Sequence, residues 1–230
     1  MNDITNWNSN LPGGFDRLNM YLDTYKGNKY DIPILDKEDY IPKDLVSYKE
    51  VTHPSKASLE KCIHFFLDDY HFEGVWNSPV KTLGRIQKIG KSLTPDFSIY
   101  VDMPKALQIF NVYRNRWLGK FWQDNGVIVI PTVSWGDRST FDFCFEGVQK
   151  GNTVAVSTVG VTKKSYDIFE EGFIEMCNKI KPSTVLVQGE KKLMDFENYC
   201  DVMYYDTYWK KTRNKLEVNW YGWQRSVHEW

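Results

Sequence analysis

Asp96 stands in Thr94-Pro95-Asp96-Phe97-Ser98, towards the end of an apolar run that begins at Ser92. A carboxylate in such surroundings is costly to bury unless it is paired or hydrogen-bonded. The same burial can tune it for acid–base or nucleophilic work. Read structurally, it would cap the next helix or pair with Arg114 or Arg116. Asp68 and Asp69 follow a second such run, Cys62 to Leu67. Neighbours on an extended chain point to opposite sides, so one of the two faces a pocket and the other caps a turn. Two carboxylates at one pocket suit cleavage of a glycosidic bond. No cofactor is called for, although Asp68, Asp69 and Asp96 together would also offer oxygen ligands to a hard divalent cation.

Arg114 and Arg116 lie two apart in Asn111-Val112-Tyr113-Arg114-Asn115-Arg116-Trp117 and so leave a helix on different sides. One of them would hold a phosphate or carboxylate in bidentate fashion; the other would be solvated. Trp135 would stack a base or sugar, and Asn77, Thr132, Ser134, Ser157 and Thr158 supply polar side chains for a bound substrate. G-x-S-x-G is absent, and no histidine lies near a strand end apart from His71, beyond the second strand, which argues against a serine hydrolase. Cys62 and His64 share a strand face, but two ligands do not make a zinc site, and no metal site is expected.

These residues need a scaffold that brings them to one end. Short runs rich in β-branched and aromatic residues recur at Leu45 to Val51, Cys62 to Leu67, Ser92 to Tyr100, Val127 to Val133, Thr153 to Val159, Thr184 to Val187 and Val202 to Tyr205. Several are apolar throughout, as in parallel strands covered on both faces. Helical periodicity separates them at Pro104 to Asp124 and Lys164 to Ile180, with shorter stretches at Gly74 to Ile89 and Phe141 to Val148. The pattern predicts an α/β fold of repeated strand–helix units. A full eight-stranded barrel takes ~250 residues, so a compact or incomplete TIM-like (β/α) barrel is expected, with an open doubly wound parallel sheet as the alternative. Both put a site at the carboxyl ends of the strands. Residues 1–40 read as an irregular arm packed on the domain, its one periodic stretch, Phe15 to Tyr25, read as a helix. Residues 41–206 form the domain, and 207–230 a tail in which aromatics mix with Lys210, Lys211, Arg213, Lys215 and Arg225.

Aromatic residues make up 16% of the chain, which points to a heavily packed core or to a stacking groove. Net charge is −1, so the chain lacks the basic excess of a protein that grips duplex DNA through phosphates. Single-stranded nucleic acid could still be held by the aromatic and basic tail. The four cysteines show no C-x-x-C pairing, and no apolar stretch approaches the ~20 residues of a membrane span. The expected setting is the cytoplasm, with no membrane partner; the sequence does not fix the oligomeric state.

Phe65-Phe66-Leu67-Asp68-Asp69-Tyr70, Pro95-Asp96-Phe97-Ser98, Tyr113-Arg114-Asn115-Arg116-Trp117-Leu118-Gly119, Ile130-Pro131-Thr132-Val133-Ser134-Trp135, Phe141-Asp142-Phe143-Cys144-Phe145 and Val156-Ser157-Thr158-Val159-Gly160 occur in this order. Together they resemble domain-of-unknown-function family 4417 over roughly residues 30 to 190. The resemblance implies a bacterial, phage or mobile-element setting and assigns no catalytic residues. The residues themselves lead to the expectation of a hydrolase or transferase acting on a glycosidic or phosphate bond of a nucleotide or nucleic acid. The rival expectation is a non-catalytic phage accessory factor that binds a host protein or a single strand.

Overall fold

The structure, a computed structural model, describes residues 28–52, 59–191, 193–207 and 210. Seven short strands form in the runs that the sequence marks: β1 (Leu45–Ser47), β2 (Cys62–His64), β3 (Lys91–Leu93), β4 (Ile128–Ile130), β5 (Thr153–Ser157), β6 (Thr184–Gln188) and β7 (Val202–Tyr205). Between them lie α1 (Glu73–Asn77), α2 (Pro79–Ile89), α3 (Lys105–Asp124) and α4 (Tyr166–Ile180). All pairings are parallel, β1 to β4 in one ladder and β5 to β7 in another. A single bridge, Thr132 to Ala155, joins the two. Among the described residues no ladder joins β7 to β1.

Alternation along the strands sorts the core into layers. Val46, Ile63 and Val129 face α2 and α3 in a cluster that includes Trp76, Trp117, Phe121 and Trp122. Val154, Val156, Val185 and Val187 face α4. The opposite face gathers Leu45, Cys62, Leu93, Ile130, Ala155, Leu186 and Tyr205, one residue from each of the seven strands, into a third cluster. One step further along the strands this face turns polar, with Ser47, His64, Thr132, Ser157 and Gln188.

Two expected elements come out differently. Ladder pairing of the third strand stops at Leu93, although the apolar run continues to Tyr100, because Pro95 has no N–H and the segment finds side-chain partners instead. Phe141 to Val148 is a series of turns and not a helix. Its carbonyls at Cys144 and Glu146 are turned onto Arg116, and Gly147 breaks the run at φ +76°.

Of the N-terminal arm, residues 28–40 run irregularly over the domain, with Ile32 and Leu35 fully buried. Leu35 N–H donates to the Gly147 carbonyl. The helix read at Phe15 to Tyr25 and nearly all of the 207–230 tail lie outside the described residues. No helix among those residues is long and apolar enough to cross a membrane.

At Gly119 the backbone of α3 rests directly on Leu35 and Thr94: a Cβ there would stand 2.8 Å and 2.6 Å from their methyl carbons. Gly119→Ala is therefore expected to destabilise the fold by about 1–3 kcal/mol through overpacking, read as a lower urea midpoint with an unchanged m-value.

Candidate functional site

Past Leu93 the chain leaves the ladder and carries Asp96 outside any strand, so its buried carbonyls need other donors. A polar stripe on α3 supplies them. Gln108 Nε2 donates to the Tyr100 carbonyl (2.7 Å), Asn111 Nδ2 to that of Ser98 (2.6 Å) and Asn115 Nδ2 to that of Pro95 (2.6 Å). From the other side Asp69 accepts from the Ser98 N–H (3.2 Å) and hydroxyl (2.9 Å). The segment bearing Asp96 is thus gripped on both flanks.

Asp96 lines a cavity of about 550 Å³ at the carboxyl ends of the strands. Asp68, Ser134, Trp135, Ser157 and Gln188 line the same cavity. Burial pushes the Asp96 carboxyl up to about 7; a hydrogen bond from Ser134 opposes the shift and the nearby Asp69 charge adds to it. Asp68 is exposed at the cavity, whereas Asp69 is turned towards Ser98 and Arg114. Trp135 is fixed by donation of Nε1 to the Ile168 carbonyl (3.3 Å) and by packing on Phe169. Behind it lies Gly172 of α4, where any Cβ would overlap the indole.

Other candidates do not reach the cavity. Arg114 binds Glu73 through both carboxylate oxygens (2.8 and 2.9 Å), lies 3.8 Å from Asp69 and covers the Phe97 ring at 3.5 Å. Arg116, 1% exposed, donates to the carbonyls of Thr132 (2.8 Å), Glu146 (3.0 Å) and Cys144 (3.1 Å) and to the Asn115 side chain. Both guanidiniums hold the protein together, so neither is placed to hold a substrate anion. Thr132 donates its hydroxyl to the Thr94 carbonyl (2.8 Å) beneath the surface. The Thr158 hydroxyl accepts from Glu190 N–H (2.6 Å) and donates to the Gln188 carbonyl (3.4 Å), clamping the turn after β6. Asn77 is exposed at the end of α1.

Asp68, Asp69 and Asp96 do not converge on one point; among the described residues no group of three or more His, Cys, Asp or Glu is arranged to hold a metal ion. His64 accepts at Nδ1 from Phe66 N–H (3.3 Å) and stacks on that ring.

Gln188, which the sequence places at the end of the sixth strand without a role, belongs to the cavity. It is 2% exposed, lines the cavity, and its Nε2 has no hydrogen-bond partner. An amide in an apolar run at a strand end was the available signal. Leaving such a donor unmet costs about 1–3 kcal/mol.

Residues 25–206 match the sequence family described as a domain of unknown function (DUF4417). The match takes in all seven strands and runs past the point at which the quoted motifs end. The chain is 40% identical over 215 residues to the Gene 1 protein of Mycobacterium phage D29, covering 92% of this chain and 80% of that protein. It is also 40% identical over 208 residues to the Gene 1 protein of Mycobacterium phage L5, covering 89% and 91%. No solved structure matches it.

Two measurements probe this geometry. Arg116→Met should destabilise the protein by about 3–5 kcal/mol, the scale for breaking up a buried charge and its partners. Asp68→Asn, on an exposed residue, should stay within about 0.5 kcal/mol. Between the usual carboxylate range and about pH 7 the folded chain holds a proton on Asp96 that the unfolded chain has released. Stability therefore falls as pH rises through that window, by at most ~1.4 kcal/mol per pH unit from this group. Urea titrations from pH 4 to 8 should show this decline in the wild type and a flatter profile in Asp96→Asn.

Proposed function

The chain belongs to the DUF4417 family, and we propose that it is an enzyme that cleaves a glycosidic bond of a nucleotide-, nucleoside- or sugar-sized substrate, with Asp96 as general acid. One observation carries the reading: a carboxyl group raised to about 7 stands on the wall of a cavity at the strand ends. A group that still holds its proton near neutrality can give it to a leaving group. Asp68 is the second carboxylate at the cavity and the candidate partner, while Asp69 acts through Ser98 and through its charge on Asp96. Between the two bond types considered, the glycosidic one is favoured, because both arginines are held by protein partners away from the cavity.

The scaffold we infer is an incomplete (β/α) barrel. The order β1 to β7 follows the sequence, and one residue of every strand meets in a single inner cluster. The Tyr205 hydroxyl at the end of β7 donates to the carbonyl of Pro42, just before β1. Such a curl brings residues after seven strands to one mouth, as strand-end sites of this kind require.

The test is a thermal-shift screen against nucleotides, nucleosides and sugars, followed by chromatography for released base or sugar. Wild type should turn over a binding ligand, with a rate that falls as pH rises above about 7 as the acid loses its proton. Asp96→Asn should bind the ligand, fold normally and lose at least ~100-fold in rate. An Asp96→Asn protein with undiminished turnover would overturn the assignment.

A further inference from the structure

We propose that the cavity takes an uncharged nucleoside, with the Gln188 carboxamide reading the edge of its base. This deepens the reading of the cavity as a small-molecule site and rests on it. Three independent observations converge on the base.

Gln188 lines the cavity and its Nε2 is buried without a partner, whereas buried amides are as a rule hydrogen-bonded. A carboxamide offers a donor and an acceptor side by side, the complement of a nucleobase edge, and a glutamine reads adenine in this way with two hydrogen bonds. Its position is set from behind: β6 pairs on both sides, and the Thr158 hydroxyl clamps the Gln188 carbonyl. The amide is thus pre-placed for a ligand that supplies its missing acceptor.

The cavity walls are aromatic where a base would stack. Trp135, Phe169, Tyr100 and Phe66 line it, and Trp135 is held in place by Ile168 and α4. Its volume of about 550 Å³ lies within the range of sites for small organic ligands.

Charge then argues against phosphate. Among the described residues lining the cavity, Asp68 and Asp96 are acidic, Lys49 and His71 are the basic ones, and there is no arginine to grip a phosphate bidentately. A 5′-phosphate would add its charge beside the exposed Asp68 carboxylate and favour ionisation of neither Asp68 nor Asp96. A nucleoside adds none, and its glycosidic bond joins the base at Gln188 to a sugar within the same cavity as Asp96.

The experiment is calorimetric titration of the intact protein with adenosine, cytidine, guanosine and uridine, with their 5′-monophosphates, and with methyl riboside. At least one nucleoside should bind at least tenfold more tightly than its monophosphate and than the riboside. Gln188→Met should keep or raise the thermal midpoint of the free protein, since the lost amide has no partner, yet weaken nucleoside binding at least tenfold. Asp96→Asn should retain nucleoside binding. Nucleoside binding without turnover in wild type would leave this inference standing while removing the proposed reaction. Absence of nucleoside binding at millimolar concentration would overturn it, as would tighter binding of the monophosphates or undiminished binding by Gln188→Met.

Discussion

Buried backbone carbonyls that leave a sheet must find donors elsewhere, and this demand organises the molecule around α3. The segment from Pro95 to Tyr100 leaves the ladder after β3 and is held by three amide side chains, Gln108, Asn111 and Asn115. Their spacing of three and four residues is that of one helical face. Arg116, beside Asn115 on the same helix, does the same: its guanidinium gathers carbonyls from just past β4 and from the turns that follow. One helix thereby fixes two strand-end segments, and these carry Asp96 and Ser134.

This division of labour explains which parts of the fold can be read from the residues alone. Runs of β-branched and aromatic residues locate all seven strands, since strands covered on both faces by buried clusters must be largely apolar until they reach their polar ends. The strand ends in turn identify the level of the cavity and bring Asp96, Asp68, Ser134, Trp135 and Ser157 to it. Side-chain partners are a different matter. The cluster of asparagines and arginines at 111–116 is as specific as its composition implies, but its targets are carbonyls and protein carboxylates. A sequence shows that a guanidinium is present; it does not show which acceptors surround it. Phe141 to Val148 fails for the same reason, as a helical pattern there is overruled by a buried charge that needs those carbonyls. The strand-end position of Gln188 is legible in the sequence, whereas the missing partner of its amide nitrogen is visible only in three dimensions.

Gly172 and Trp135 are set against each other closely enough that one helix position and one cavity wall share the same space. Inheritance at the two sites is consequently linked. A relative that acquires a side chain at the position of Gly172 must first accept a smaller residue at the position of Trp135, and the cavity then loses its indole wall. The order of the two changes is fixed as well, because the reverse path passes through an overlap that the packed helix cannot absorb. A side chain at position 172 and an indole at position 135 exclude each other, so the shape of one cavity wall is set from inside the helix packed behind it.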